Sequence, residues 1–299
     1  MAGLGMTPDN EAIFNSYHEK IEAALSRYLD IHDDRVQITS DAMRYSTMVG
    51  GKRLRPVLVL EFCRLCGGNP DDAMPFACAL EMVHTSSLIH DDLPCMDDDD
   101  YRRGKPSCHK KFGYNYALLA GDALEAFAFE TAAGAAADPK ITVECLRRLT
   151  AATGIRGMLG GQTMDEENEG NSQVDLARLT ETDALKTGAF IRVACEMGCL
   201  TASATNEQME HAIQYGNALG VAFQIQDDIL DVVGDEKKLG KAVGSDQDSN
   251  KSTYVGLLGL EEAQKRAADF TEKALQALEF FPDNNFLKEL TSVLLKRDH

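Results

Sequence analysis

Proline is absent between residues 140 and 281, and this constrains the fold more than any other feature of the 299-residue chain. Proline breaks helices because it lacks a backbone N–H and clashes with the preceding turn. Apolar residues recur at the 3.6-residue helical period at Ile13, Tyr17 and Ile21, and again through residues 206–233. Alternating strand patterns bounded by hairpin turns are missing. We therefore predict an all-α protein of ten or more helices.

The chain reads as one unit. No linker rich in Ser, Gly or Pro divides it, so a single domain over residues 1–299 is expected. The N-terminal segment has neither the basic nor the apolar region of a signal peptide, and no run of eighteen apolar residues occurs. A cytoplasmic protein without a membrane anchor follows as an expectation. The eight cysteines are scattered through apparent helices, which is typical of reduced thiols.

The overall charge is strongly negative. Forty-eight acidic against thirty basic residues give a formal net charge of −18. Nucleic acid is disfavoured as a partner, because phosphate backbones are bound by an excess of Lys and Arg. A small anionic substrate would need clustered cations or metal ions to reverse the local field.

Aspartates are concentrated in two short segments. Residues 89–106 read "IHDDLPCMDDDDYRRGKP" and residues 223–235 read "FQIQDDILDVVGD". On a helix Asp227 and Asp231 point the same way. Asp91 and Asp98 are two turns apart, but Pro94 argues against an unbroken helix there, and a local bulge would bring Asp97 into line instead.

Carboxylates at this density repel one another unless a cation lies between them. Their oxygens suit Mg²⁺, which commonly shares substrate phosphate oxygens. A solvated acidic surface would explain either segment alone. Two such segments inside apolar helical runs favour the metal interpretation.

Basic residues form a second kind of site. "MVGGKRLRPVLVL" places Gly50 and Gly51 before Lys52, Arg53 and Arg55, at the start of an apolar helix whose N-terminus adds positive charge. A further basic group, Arg102, Arg103 and Lys105, follows the first aspartate segment. Diphosphate could thus bind directly to Arg and Lys, or indirectly through carboxylate-held Mg²⁺. A reaction joining two diphosphate esters would use both.

With these features the chain resembles the trans-isoprenyl diphosphate synthases. The resemblance runs in order through "GGKRLRP", "SLIHDDLPCMDDDDYRRGKP", "LAGDAL", "KTGAFIR", "FQIQDDILDVVGD", "GKAVGSD" and "NKSTY". The form "DDLPCMD" resembles the short-chain branch, which makes farnesyl or geranylgeranyl diphosphate. The resemblance implies a helical bundle around a central apolar cavity, of the isoprenoid synthase type, and a homodimer.

The resemblance also implies roles for individual residues. The metal-free pocket for isopentenyl diphosphate would comprise Lys52, Arg55, His84 and Arg103. Asp91, Asp97 and Asp227 would hold three Mg²⁺ ions around the allylic diphosphate, with Asp92 and Asp231 in support and Mn²⁺ as a possible substitute. Further contacts to that diphosphate would come from Arg102, Lys186, Lys241 and Lys251. Thr187 and the carbonyl groups of Lys186 and Gln224 would lie near the allylic cation. Together with Lys241, which would contact the leaving diphosphate, Lys186, Thr187 and Gln224 form the expected catalytic set.

Product length stays open between fifteen and twenty carbons. Small residues, Ser86 and Ser87, occupy the positions before Asp91 where farnesyl-making relatives often carry an aromatic side chain. They would leave the channel open, while Tyr45, Met48 or Phe127 could close its floor.

Other functions fit less well. A metal-dependent His–Asp phosphohydrolase is suggested by "IHDD" at residues 31–34 and 89–92, but it needs more spaced histidines than the seven present. A class I terpene cyclase would share the fold and the first aspartate motif but has no use for "GGKRLRP". A Ca²⁺-binding module would need a glycine that "DDDDYRRG" lacks at the sixth loop position.

Overall fold

A computed structural model describes residues 5–171, 173–233 and 252–296 of the chain. Its regular structure is almost entirely helical. The first half of the chain contains α1 (Pro8–Tyr28), α2 (Gln37–Met48), α3 (Leu54–Leu65), α4 (Pro70–Asp91), α5 (Cys108–Phe112), α6 (Tyr114–Ala133) and α7 (Pro139–Thr153). The second half contains α8 (Met158–Asn168), α9 (Leu176–Asp183), a π-helix (Ala184–Gly188), α10 (Ala189–Thr201), α11 (Asn206–Val233), α12 (Tyr254–Leu258), α13 (Leu260–Leu278) and α14 (Asn285–Lys296).

Three helices begin with proline at their first position, where the missing N–H costs nothing: Pro8, Pro70 and Pro139. Asn69 and Asp138 cap two of these helices by accepting a hydrogen bond from a backbone N–H two residues later. Proline therefore marks the start of three helices, although Pro75 lies inside α4, and its absence between residues 140 and 281 agrees with the helices found in the described part of that span.

The core lies between long helices that cross at close range. α4 packs against α3 and α6, α10 packs against α3 and α11, and α11 packs against α13. Gly198 of α10 permits one such close approach, because a Cβ there would lie 2.4 Å from the Val59 carbonyl oxygen of α3. The largest wholly buried side chains include Phe62, Phe76 and Tyr215. The prediction of an all-α bundle of ten or more helices around a central apolar cavity is confirmed.

One short β-hairpin departs from the helical pattern in the described part of the chain. β1 (Tyr101–Arg102) pairs antiparallel with β2 (Lys105–Pro106). Both residues of the connecting turn, Arg103 and Gly104, have positive φ angles, 53° and 73°. This is the backbone of a two-residue hairpin turn that follows the natural twist of the strands. The sequence patterns did not predict these two strands.

Two further expectations concern the cysteine thiols and membrane-spanning helices. All eight cysteines are free thiols, and only Cys95 is exposed. Within the described ranges, no helix combines the length and the apolar character needed to cross a membrane. The single domain over residues 1–299 stays a prediction.

Candidate active site

A cavity of about 320 Å³ opens between the end of α4, the π-helix and α8. It receives side chains from several distant parts of the chain. Its charged and polar lining includes Arg55, His84, Asp91, Lys186 and Thr187, and its apolar lining includes Leu88, Met96, Met158, Leu159 and Phe190. A charged mouth therefore leads into a largely apolar interior.

The first aspartate segment folds back on itself after α4 ends. The backbone N–H of Asp97 donates to the carbonyl of Asp91 at 2.9 Å, and that of Asp98 donates to Leu93 at 3.2 Å. The chain around Pro94 forms a turn, so Asp97 rather than Asp98 returns beside Asp91. The bulge alternative raised from the sequence is confirmed.

Asp91 and Asp97 act electrostatically on Lys186 across the cavity mouth. The pKa of Asp91 is raised to about 6, chiefly by burial; the positive charge of Lys186 opposes this rise and the negative charge of Asp97 contributes to it. The raised pKa of Asp91 shows that its negative charge is disfavoured where it lies, so a cation between Asp91 and the neighbouring Asp97 carboxylate would be stabilised.

Asp92 faces away from this mouth. It is 2% exposed and forms a two-point ion pair with Arg102, with Nε to Oδ2 at 2.8 Å and Nη2 to Oδ1 at 2.6 Å. The support predicted for Asp92 stays a prediction, and its observed partner is Arg102. A bidentate pair of this kind fixes the plane of the guanidinium group.

The second aspartate segment lies on the last turns of α11. Asp228 is buried and accepts hydrogen bonds from the Gln224 side chain at 3.2 Å and from the Tyr254 backbone at 2.8 Å. Asp231 is also buried, whereas Asp227 is half-buried and lies close enough to Arg55 to act on its pKa. Of this segment, Asp227 is thus the residue with an electrostatic effect on Arg55, and its role as a metal ligand stays a prediction.

Arg55, His84 and Arg103 form a cationic pocket. Nη1 of Arg55 lies 3.3 Å from Nε2 of His84. Burial, followed by the charges of Arg55 and Arg103, holds the pKa of His84 well below its usual range. His84 is therefore neutral near pH 7, and its Nε2 can accept a hydrogen bond from Arg55.

Arg103 reaches the loop that precedes α3. A Cβ on Gly51 would lie 2.6 Å from Nη1 of Arg103, and the φ of Gly51 is 141°. Only glycine allows the guanidinium to lie against this backbone. Lys52, the fourth predicted member of the pocket, follows directly and is exposed.

Arg53 was expected to lie among the anion-binding cations, but its side chain is not available to an anion. Its side chain is wholly buried and pairs with Glu22 at 2.6 Å and Glu81 at 2.7 Å, and it donates to the Thr47 carbonyl at 2.6 Å. The two glutamates neutralise the charge of Arg53 inside the protein. These contacts anchor the loop that carries Lys52 and Arg55. Sequence patterns could not reveal this, because Glu22 and Glu81 are distant along the chain.

The π-helix directs Lys186 and Thr187 into the cavity. π-helical turns often occur at functional sites. Lys186 forms an ion pair with Asp165 of α8 at 2.7 Å, and the Thr187 hydroxyl donates to Gln224 at 3.4 Å. The structure thus brings the predicted Lys186, Thr187 and Gln224 together. Asp165 was not identified from the sequence, since it lies in the acidic stretch "DEENE", which belongs to none of the motifs. Lys241 and Lys251 lie outside the described residues.

The apolar part of the cavity is lined by Ser86 and Ser87, as predicted. Both hydroxyls bond to carbonyls one turn earlier in α4, Val83 at 2.7 Å and His84 at 2.8 Å. The suggested floor residues, Tyr45, Met48 and Phe127, do not line it. Glu125, Leu159 and Gln162 line it instead, and burial raises the pKa of Glu125.

Side chains that could bind metal ions occur in two groups among the described residues. Within the described residues, one group of three brings its potential ligand atoms within 4.8 Å of one another: Asp98, Asp100 and His109. The predicted ligands Asp91, Asp97 and Asp227 do not form so tight a group. Their carboxylates come from two separate helix ends, a separation suited to several ions bridged by a polyanionic substrate rather than to one enclosed ion.

Known proteins resemble this chain over most of its length. The family model for polyprenyl synthetase matches residues 36–289. A chloroplastic geranylgeranyl pyrophosphate synthase from Capsicum annuum is 45% identical over 82% of this chain and 67% of its own length. The farnesyl diphosphate synthase of Geobacillus stearothermophilus is 41% identical over 97% of this chain and 98% of its own length.

A solved structure extends the likeness to three dimensions. The crystal structure of an FPP/GFPP synthase from Zymomonas mobilis, in its apo form, superimposes with a TM-score of 0.86 at 34% sequence identity. It covers 96% of this chain and 99% of its own. The order of the motifs, the helical bundle with its charged cavity mouth, and these relatives agree, and the chain belongs to the polyprenyl synthetase family.

Proposed function

We propose that this protein condenses isopentenyl diphosphate with an allylic diphosphate, releasing inorganic diphosphate and yielding farnesyl diphosphate, geranylgeranyl diphosphate or both. One observation carries the proposal. Arg55, His84, Lys186 and Asp91 line one largely apolar cavity, while Asp227 acts electrostatically on Arg55 and Asp97 acts on Lys186. Two diphosphates can thus be bound in different ways while a hydrocarbon chain extends inward.

Isopentenyl diphosphate takes the cationic pocket of Lys52, Arg55, His84 and Arg103. The guanidinium groups bind phosphate oxygens through charge-assisted hydrogen bonds. His84, neutral because its pKa is depressed, can donate one hydrogen bond without adding charge. No carboxylate of the aspartate segments is needed to hold this diphosphate.

The allylic diphosphate takes the opposite side, with Asp91, Asp97 and Asp227 as ligands of Mg²⁺, three ions in all, for which Mn²⁺ can substitute. The raised pKa of Asp91 and its closeness to Asp97 fit a site that is completed by divalent cations. The ions, when bound, withdraw negative charge from the departing diphosphate. Lys186, held by Asp165, contributes a fixed positive charge, as do Arg102 and, from the remaining sequence, Lys241 and Lys251.

The reaction requires charge control rather than a strong base. The allylic C–O bond breaks, its electron pair leaves with diphosphate, and the resulting allylic cation is attacked by the double bond of isopentenyl diphosphate. A proton then leaves the new tertiary cation for the released diphosphate. The Thr187 hydroxyl and the Gln224 amide, joined at 3.4 Å, present oxygen dipoles that stabilise the cation. The apolar cavity excludes water that would trap it.

The protein is proposed to act as a cytoplasmic homodimer. Support for the dimer comes from α6, where Tyr116, Leu118 and Leu119 are 41%, 39% and 52% exposed. Large apolar side chains grouped on one helix are favoured sites of subunit association.

The direct test is incubation of the protein with isopentenyl diphosphate, Mg²⁺ and one primer at a time: dimethylallyl, geranyl or farnesyl diphosphate. Chain elongation, with products identified by mass spectrometry, is the expected result. Cyclic hydrocarbon from a single allylic substrate would instead indicate a terpene cyclase. Phosphate release without carbon–carbon bond formation would indicate a phosphohydrolase.

A further inference from the structure

We propose that Asp98, Asp100 and His109, named here the hairpin cluster, form a separate binding site for a divalent transition-metal ion. These residues flank the β1–β2 hairpin on both sides. The backbone N–H of Ser107 donates to the Asp100 carbonyl at 2.9 Å, which closes the hairpin and brings His109 back towards the aspartates. Metal binding here does not depend on the proposed function.

The hairpin cluster has the ligand geometry of a small metal site. One ligand atom from each side chain lies within 4.8 Å of the others, and Nε2 of His109 is 3.9 Å from Oδ1 of Asp98. Ligands around a tetrahedral ion at about 2.1 Å are separated by about 3.4 Å. A movement of about half an ångström would therefore complete the first pair, and Asp98 is exposed enough to make it.

His109 supplies an independent indication of a ligand. The residue is only 8% exposed, and its Nδ1 lies 3.1 Å from the Ser107 hydroxyl. Its Nε2 is buried without a hydrogen-bond partner and faces the Asp98 carboxylate. Buried polar atoms are nearly always satisfied. When Nδ1–H donates to Ser107, Nε2 carries the lone pair, which is the arrangement in which histidine binds a metal.

Charges around the hairpin cluster differ from those at the cavity mouth. Asp91 and Asp97 act on Lys186, whereas Asp98 and Asp100 act on Lys110. The Lys110 ammonium is 2.6 Å from Oδ1 of Asp100. Because a carboxylate has two oxygens, this pairing leaves Asp100 able to bind an ion through the other.

The donor set indicates the class of metal. One imidazole nitrogen with two carboxylate oxygens suits Zn²⁺, Co²⁺ or Mn²⁺, whereas Mg²⁺ prefers oxygen ligands alone. The two aspartates are exposed, so water can complete the coordination. An ion bound here would fix the segment between Asp97 and Arg103, and its effect would be structural.

The proposal is tested by calorimetric titration of Zn²⁺ into full-length protein that has been stripped with EDTA, without Mg²⁺ or substrate. We expect one Zn²⁺ per chain to bind with an affinity at least tenfold weaker in Asp98→Asn and His109→Gln. Asn is a suitable replacement because position 98 has a φ of 51°, which asparagine tolerates. Circular dichroism checks the fold of the His109 variant.

Two matched controls locate the ion. Asp99→Asn removes the same charge one residue away, and Asp91→Asn removes a carboxylate at the cavity mouth; both should leave the tightest Zn²⁺ site unchanged. Pulsed EPR of protein loaded with one equivalent of Mn²⁺ should show imidazole nitrogen coupling that disappears in His109→Gln. The proposal would be overturned if the wild type bound no Zn²⁺. It would also be overturned if Asp98→Asn and Asp99→Asn lost Zn²⁺ affinity equally, or if only Asp91→Asn lost it.

Discussion

Arg53 and Arg55 are two residues apart and equally basic, yet their surroundings are opposite. Arg53 is enclosed by Glu22, Glu81 and a backbone carbonyl, so its charge is neutralised within the protein. Arg55 contacts a neutral histidine and another arginine acts on its pKa, which leaves positive charge for a ligand. An anion-binding arginine is thus distinguished from a structural one by what its neighbours leave uncompensated.

At this scale, Lys52→Ala and Arg55→Ala should raise the KM for isopentenyl diphosphate about ten- to a hundredfold. Loss of a hydrogen bond to a charged group costs about 1.5–3 kcal/mol. Steady-state kinetics with each substrate varied in turn provides the measurement, and Lys140→Ala, which removes an exposed charge from α7, is the control. A rise confined to the KM of the allylic substrate would show that the two pockets are assigned in reverse.

Asp91→Ala and Asp227→Ala should each lower kcat by several orders of magnitude while the fold survives. Either change leaves the ions around the allylic diphosphate with one ligand fewer, so less charge is withdrawn as the C–O bond breaks. Activity should likewise vanish in excess EDTA and return with Mg²⁺. Glu207→Ala, an exposed change at the start of the same α11, should retain full turnover. Undiminished kcat in the Asp variants would contradict the role of these residues.

At the scale of elements, α4 contributes side chains to two parts of the cavity. Its final residue, Asp91, belongs to the charged mouth, while Ser86 and Ser87 one turn earlier line the apolar part of the cavity. At 1.5 Å rise per residue, Ser86 lies about 7 Å below Asp91 along the helix axis. The helix therefore sets the distance between the reacting end and the position where the growing chain meets a wall.

Ser86→Tyr should shorten the product. If the wild type makes geranylgeranyl diphosphate, the variant should stop at farnesyl diphosphate, because the ring would take the volume of the last isoprene unit and close packing leaves little room. Rates with dimethylallyl diphosphate should stay within about tenfold, equivalent to about 1.4 kcal/mol. Mass spectrometry of the products decides the outcome, with Ser16→Tyr on exposed α1 as control. An unchanged twenty-carbon product would show that Ser86 does not limit chain length.

Asp183, the residue just before the π-helix, should make the free energy of unfolding depend on pH. Burial, reinforced by Asp228 and Asp165, raises the pKa of Asp183 to about 8. The unfolded chain loses this proton near pH 4, so between about pH 4 and 8 the folded state binds one proton more. The free energy of unfolding should therefore fall as pH rises, by at most about 1.4 kcal/mol per pH unit.

Asp183→Asn should remove this slope and raise stability at pH 8 relative to the wild type, because the amide stays neutral. Urea unfolding at pH 6, 7 and 8 in EDTA measures it. Asp269→Asn on the surface of α13 should keep the wild-type slope. Parallel slopes for wild type and Asp183→Asn would refute the assignment.

At the scale of the whole molecule, the exposed apolar residues of α6 predict association of two chains. Leu119→Glu places a charge where a dimer would bury it without a partner, so the variant should run as a monomer when the wild type runs as a dimer. Light scattering coupled to size-exclusion chromatography measures the mass. Ile13→Glu, on the exposed side of α1, should leave the mass unchanged. A monomeric wild type would refute the dimer.

Most of the fold could be predicted from the sequence because helix formation is local. The 3.6-residue period, the position of each proline and the motif order fix helices, turns and family within windows of a few dozen residues. The same locality explains why Asp91, Asp97 and Arg55 were identified: each lies within a segment whose charge is unusual by itself. Lys186 was identified only through the family resemblance.

The tertiary structure alone determined which side chains pair with those residues. Arg53 depends on Glu22 and Glu81, Lys186 on Asp165, and Tyr254 reaches Asp228 from beyond the end of α11. None of these pairs is visible as a pattern, because the partners meet only after the helices have packed. The cavity wall follows the same logic: Glu125, Leu159 and Gln162 line it and the expected floor residues do not, since which side of a helix faces a cavity depends on where its neighbours lie. Local sequence determined which helices form and which charges they carry, whereas long-range packing determined which of those charges remain for the substrates.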